Sequence, residues 1–261
     1  MTTNVATTIV CPLIGCLICN VMWSTPLLAV QLAKKVQKIG DINPVPFTIT
    51  IANRIGWTTY GIMKHDYFIF LSNCAGLVLG LYYTVTSMAI LFSEIHQNEK
   101  NSEQNVKCKS LYGILEILMF GGITFWIGIG MIIGLGNNIN SPNAIAINMQ
   151  AIGLIGCCFG LCYYAAPLTT LIEVVKSKDS SSLYKPTLFA NLINATMWVI
   201  YGLLGTGDPL VWGPNLIGFI LSSLQLSIAY YYPTRESVNS NSVANIEQVK
   251  LNDYKMHNDE V

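Results

Sequence analysis

Residues Asn194 to Gly202 read N-A-T-M-W-V-I-Y-G, and Asn53 to Gly61 read N-R-I-G-W-T-T-Y-G, the same pattern 141 positions earlier. At that spacing Pro26-Leu27 falls on Pro167-Leu168 and Lys35 on Lys176. Asp66, Asn73 and Gly76 meet Asp208, Asn215 and Gly218 at a spacing of 142, which needs one inserted residue after the Tyr-Gly pair, and Pro46 meets Pro186 at 140. The chain is an internal duplication with copies of about 80 residues, and a repeat of this kind governs every later reading of the fold.

Composition decides where that duplication sits. Of 261 residues 52% are hydrophobic and 11% charged, against about a quarter charged in an average globular protein. A membrane protein is the first inference. Continuous apolar runs occupy 8–32, 45–63, 67–92, 111–135, 149–174, 186–205 and 210–232. At a rise of about 1.5 Å per residue, each is long enough as a helix to span, or nearly span, a hydrocarbon core about 30 Å thick. Strands are excluded because the runs are continuous rather than alternating, and a bilayer admits strands only as closed barrels. The run at 8–32 does not read as a signal peptide: no basic residue precedes it, it exceeds the usual apolar length, and its Pro26 belongs to the repeat.

The expected fold is all-α and membrane-integral, with seven transmembrane helices. Lys34, Lys35 and Lys38 follow the first span, Lys100, Lys107 and Lys109 the third, and Lys176, Lys178 and Lys185 lie between the fifth and sixth, whereas the opposite side has Lys64. The bias of Lys and Arg to cytosolic loops puts the N-terminus on the extracellular or lumenal side and the C-terminus in the cytosol. Three spans leave the chain on the wrong side to begin an identically oriented second copy, so one further crossing is required, and 111–135 is the run without a partner in the repeat. The expected organisation is three plus one plus three. A first parallel three-helix repeat occupies 8–92, a cytosolic loop and an inversion linker helix 93–135, a second three-helix repeat 149–232, and a disordered cytosolic tail, rich in Asn, Ser and charge, 233–261.

Several function classes drop out here. Net charge is zero and no long basic run exists, so nucleic acid is not an expected partner. Seven of the eight cysteines (Cys11, Cys16, Cys19, Cys74, Cys157, Cys158, Cys162) lie in apolar stretches and read as small buried side chains, and no Cys-x-x-Cys pair accompanied by histidines marks a metal site. His65, His96 and His257 fall in loops or the tail, so no nucleophile, base and orienting group converge. Neither an enzyme nor a cofactor is expected.

Polar groups inside a bilayer are costly unless satisfied, so their placement is informative. Asn53 and Trp57 are four apart on one helix, and Asn194 and Trp198 repeat this, so each copy puts an amide and an indole on one face. Asn73 and Asn215 add an amide from the third helix of each copy. Four amides and two indoles about a pseudo-twofold axis line a cavity with donors, acceptors and flat aromatic faces. Such a cavity suits a small neutral polyhydroxylated ligand, because carboxamides serve hydroxyls and an indole covers the apolar face of a pyranose. One asparagine alone would read as a helix-packing residue; the set duplicated in register points to a site.

Pro26, Pro46, Pro167 and Pro186 form a second duplicated set. A proline within a helix removes a backbone bond and opens a bend, which marks hinges; for Pro46 and Pro186 an ordinary first-turn role is equally open. Asp66 and Asp208 stand in short outer loops with Tyr60 and Tyr201 a turn or two before them, placed to close an outer gate by hydrogen bonding. Solvated carboxylates beside packed tyrosines are the alternative, above all for Asp66. Arg54 is the one cation deep in a span and has no counterpart, since Ala195 takes its place. Glu116 is its candidate ion-pair partner, with snorkelling or exposure to the cavity as the other outcomes.

These residues together resemble the SWEET family of sugar transporters over most of 8–232. The resemblance rests on the Pro-Leu of span one, P-x6-N-x3-W-x2-Y-G of span two, N-x2-G of span three, and their second-copy equivalents, including Asp208-Pro209 and Pro214-Asn215. It implies bidirectional facilitated diffusion of mono- or disaccharides without ion coupling. It also implies that Asn73 and Asn215 are a central asparagine pair, Trp57 and Trp198 aromatic walls, and Asn53 and Asn194 adjacent pocket residues. The four prolines become a hinge set and Tyr60, Tyr201 and Asp208 an outer gate; homo-oligomers, and a plasma-membrane or Golgi-type location, are compatible with it. Cys19, Met22, Gly160 and Tyr163 occupy pocket-facing turns and differ in size between copies, which favours a hexose.

Two other classes are weighed against this reading. A heptahelical receptor shares the span count and the outside N-terminus, but gives no reason for Trp and Asn to recur at fixed offsets. A proton-coupled carrier needs acidic groups in its spans, where Glu116 and, at a span end, Glu173 are found.

Overall fold

The computed structural model describes residues 4–97, 102–136, 141–163 and 165–234, without the side chains of 162–167. Almost all of the expected tail, and the side chains of Tyr163 and Pro167, lie outside the described residues. Every regular element among the described residues is helical: a π-helical turn Ala6–Val10, α1 Cys11–Ser24, α2 Leu27–Val36, α3 Val45–Met63, α4 Tyr67–Gln97, α5 Glu103–Leu135, α6 Pro142–Tyr163, α7 Ala165–Ser177, α8 Lys185–Ile200, a π-helical segment Tyr201–Gly205, and α9 Pro209–Tyr231.

The boundaries follow local chemistry. The first span breaks at Thr25-Pro26, where Pro26 caps α2 and its carbonyl accepts from Val30 N–H at 2.9 Å. Pro46 and Pro186 are each the second residue of their helix, α3 and α8. Gln37, at φ 54°, ends α2 in the left-handed conformation. Ser102 begins α5 by accepting from Asn105 N–H at 3.2 Å, so this helix starts eight residues before its apolar run.

Six helical stretches are long and apolar enough to cross a membrane among the described residues: Ala6–Val36, Tyr67–Gln97, Glu103–Leu135, Pro142–Leu161, Lys185–Gly205 and Pro209–Tyr231. α3 is the remaining expected span, and its sequence, with Asn53, Arg54, Trp57 and four threonines in 19 residues, is more polar. Packing explains that polarity. Thr48, Thr50, Ala52, Gly56 and Tyr60 are buried, and α4, α5 and α6 all pack on α3. A helix enclosed by others need not be apolar on every side. α5 is the opposite case: Ile117, Ile132 and Leu135 are 74%, 72% and 80% exposed, an apolar surface suited to lipid. Trp126 ties this helix down, lying buried with its indole N–H donated to the Ala52 carbonyl at 2.8 Å.

The chain forms two compact units. One comprises the described residues of Met1–Tyr164 and Ile193–Ile217, the other those of Ala165–Leu192 and Gly218–Val261. The core of the first gathers Cys19, Ala52, Tyr60, Ile69, Trp126, Ile152, Trp198, Tyr201 and Val211. In the second, Val174, Leu183, Leu188 and Ala229 cluster, and Ser180 bonds to the end of α9 through Pro233 O and Tyr232 O at 3.2 and 2.9 Å. Every predicted site residue except Pro167 and Pro186 falls in the first unit.

Candidate functional site

Within the first unit the two copies of the repeat meet by crossed pairs. Tyr60, from the second helix of copy one, donates to Asp208 Oδ2 of copy two at 2.6 Å, and Tyr201 donates to Asp66 Oδ2 at 2.5 Å. All four residues are buried. Each carboxylate is used twice: Asp66 Oδ1 caps α4 by accepting from Phe68 N–H and Ile69 N–H at 3.1 and 3.0 Å, and Asp208 Oδ1 accepts from Leu210 N–H at 3.0 Å. Lys64 adds an ion pair to Asp208. The alternative of a solvated Asp66 carboxylate is thereby overturned, since the residue is buried and fully engaged.

One level further in, the indoles cross in the same way. A Cβ on Gly15 would stand 2.9 Å from Trp198 Nε1, and one on Gly156 would stand 3.3 Å from Trp57 Nε1. Gly15 and Gly156 are themselves repeat partners, so each tryptophan lies on the glycine of the other copy's first helix. Each indole also meets the tyrosine three residues on edge-to-face, Trp57–Tyr60 at 5.6 Å and Trp198–Tyr201 at 5.9 Å between centroids. The second-helix amides follow suit with a difference. Cys19 donates to Asn194 Oδ1 at 3.2 Å, whereas its repeat partner Gly160 has no side chain and Asn53 donates instead to the Gly156 carbonyl at 2.9 Å.

The third-helix amides are less alike. Asn215 donates to Val211 O at 2.7 Å. Asn73 donates to Ile69 O at 2.7 Å and to Ser72 Oγ at 3.2 Å, and its Oδ1 accepts from Arg54 Nη1. The Arg54 guanidinium lies 4.0 Å from the centre of the Trp23 ring, which in turn is seated on Gly76. The candidate ion pair with Glu116 is set aside: Glu116 is exposed on α5, and the arginine turns to Asn73 and Trp23.

The profile of the family described as "Sugar efflux transporter for intercellular exchange" matches this chain twice, at residues 10–93 and 150–237. The rat protein named sugar transporter SWEET1 is 26% identical over 215 residues, 82% of this chain and 86% of the relative. The chain belongs to the SWEET family of sugar transporters. A Caenorhabditis elegans SWEET1 is 29% identical over 202 residues, covering 77% of this chain and 58% of the relative. The solved structure of a eukaryotic SWEET transporter superposes with a TM-score of 0.67 at 17% identity, over 85% of this chain and 95% of that one. The fold is thus the seven-helix SWEET fold, two parallel three-helix repeats joined by a linker helix, and the protein is an integral membrane protein of a transporter family rather than an enzyme family.

For this SWEET protein, sequence reasoning missed Trp23, the platform of Arg54. Its repeat partner is Tyr164, so the match was aromatic rather than identical. The signal available was its place one residue after Met22, on a turn already read as facing the pocket. The glycines Gly15 and Gly156 were also missed, although both stand in register at the 141-residue spacing. Met22 is half-buried.

Proposed function

We propose that this SWEET protein is a facilitative uniporter of a small neutral hexose that works by alternating access of its two repeats, 8–92 and 149–232, about the linker at 93–135. The sugar binds among Asn53, Asn73, Asn194, Asn215, Trp57 and Trp198. The observation that carries this is the crossed pairing: each copy's indole and tyrosine rest on groups of the other copy, as a site shared by two related halves requires. The Tyr60–Asp208 and Tyr201–Asp66 bonds act as the outer gate. Hydrogen bonds to a charged group contribute about 1.5–3 kcal/mol each, enough in pairs to bias a two-state equilibrium without freezing it. Pro26, at the break between α1 and α2, serves as a hinge with Pro167, whereas Pro46 and Pro186 open α3 and α8 as first-turn prolines.

Uncoupled transport is supported by the placement of the acidic residues. Glu116 and Glu173 are exposed on their helices, the buried Glu94 is committed to Ile39 N–H and Cys108, and Asp66 and Asp208 are engaged in the gate. The same reading places the N-terminus outside or in a lumen, the C-terminus in the cytosol, and the protein in the plasma membrane or a Golgi-type membrane, with homo-oligomers allowed.

Uptake of labelled glucose and sucrose into transporter-deficient cells, with and without a protonophore, tests this. Glucose uptake that survives the protonophore and is lost in Asn73→Ala and Asn215→Ala is the expected result. Surface-expressed protein that moves neither sugar removes the substrate, and uptake abolished by the protonophore removes the uncoupled mechanism.

A further inference from the structure

The two halves of the candidate site differ most at Arg54. Its place in the second copy is taken by Ala195, which is buried, so a permanent positive charge stands on one side of the pseudo-twofold axis and none at the equivalent point on the other. Arginine stays protonated under any physiological condition. The guanidinium is fixed from two directions. Its face lies 4.0 Å from the centre of the Trp23 ring, and Nη1 donates to Asn73 Oδ1. Trp23 itself packs closely on Gly76, where a Cβ would lie only 3.2 Å from its ring.

Asn73 has a consequence for sugar recognition. A carboxamide has two N–H donors, and those of Asn73 go to Ile69 O at 2.7 Å and Ser72 Oγ at 3.2 Å. Asn215 commits one donor, to Val211 O. The first-copy asparagine therefore has no N–H left for a sugar hydroxyl, and the donor role on that side passes to the adjacent guanidinium, a planar group with five N–H donors. Hydrogen bonds from such a cation to an anionic acceptor are roughly twice as strong as those between neutral groups.

We infer that Arg54 contacts the sugar directly and gives the pocket a charge preference, so that a hexuronate is taken in preference to its neutral amide. This rests on the sugar site proposed above. The test measures inhibition of labelled-glucose uptake by glucuronate and by its neutral isostere glucuronamide, in the full-length protein and in Arg54→Gln and Arg54→Lys. In the parent protein glucuronate should inhibit at a concentration lower than glucuronamide by about ten-fold, the ratio that roughly 1.4 kcal/mol produces. In Arg54→Gln the ratio should fall to about one, and Arg54→Lys, which keeps charge but loses the planar fork, should fall between them. Because Arg54 belongs to the binding site, uptake can fail in a variant; quenching of tryptophan fluorescence by the same two ligands on purified protein then supplies the ratio. A ratio unchanged between parent and Arg54→Gln, or near one in the parent, overturns the inference while leaving sugar transport standing. A parent protein that takes up no glucose and binds neither ligand instead overturns the sugar-site reading beneath it.

Discussion

Tyr201 donates its hydroxyl to Asp66 at 2.5 Å although 135 residues separate them in the chain. With the matching bond from Tyr60 to Asp208, it joins the second helix of each copy to the start of the third helix of the other. Asp66 and Asp208 also cap those third helices, so each carboxylate links a helix terminus to the opposing copy. Separating the copies at this end would expose two helix ends and two buried phenols at once.

Tyr201→Phe and Asp66→Asn are expected to be coupled. Unfolding free energies in detergent should give an interaction of about 1–2 kcal/mol for this pair, while Tyr201→Phe with the remote Tyr83→Phe should add within about 0.5 kcal/mol. Tyr83 is a suitable control because it donates elsewhere, to Trp23 O at 2.8 Å.

The Tyr-Gly pairs carry a steric requirement. A Cβ on Gly61 would stand 2.7 Å from Phe70 N, and one on Gly202 would stand 2.6 Å from Trp212 N. Both obstacles are backbone atoms of the following helix, which cannot rotate aside. Gly61→Ala and Gly202→Ala should each lower stability by about 1–3 kcal/mol, read as a fall in the thermal unfolding midpoint; an unchanged midpoint in both would disprove the close approach.

The central asparagines should separate under mutation. Asn73→Ala removes an amide bonded to Ile69, Ser72 and Arg54, so both transport and stability should fall, the latter by about 1–3 kcal/mol. Asn215→Ala removes an amide whose side chain bonds Val211 O. Transport there should fall about ten-fold or more, with a stability loss of about 1 kcal/mol or less. Uptake kinetics and unfolding on the same two variants check the difference.

Glu94 is a buried carboxylate that holds the loop between α2 and α3. It accepts Ile39 N–H at 2.5 Å and Cys108 Sγ at 3.3 Å. Glu94→Ala leaves a buried backbone donor without its acceptor, so stability should drop by about 1–3 kcal/mol, and Cys108, buried in the parent, should react faster with a maleimide. Equal labelling rates would show that the loop is held by other contacts.

The sequence alone determined the helical class, the duplication and the identity of the paired residues, because apolar run length and a 141-residue register are one-dimensional properties. Asn53, Asn73, Asn194, Asn215, Trp57, Trp198, Tyr60, Tyr201 and Asp208 were all legible in that register, and Asp66 was visible with its role left open. Tertiary structure alone decided which copy each residue answers to. A spacing aligns Gly15 with Gly156 and Trp57 with Trp198, but it cannot say that each indole sits on the other copy's glycine; that depends on how two equivalent halves pack. Arg54 shows the same limit. Its lack of a repeat partner was plain, yet whether a cation in a span seeks a carboxylate, lipid headgroups or a ring depends on what lies within reach of its side chain. Asn73 and Trp23 lie there, and Glu116 is exposed on α5. Period and composition fix what a residue is and roughly how deep it lies, whereas partner choice is a matter of a few ångströms across helices far apart in the chain.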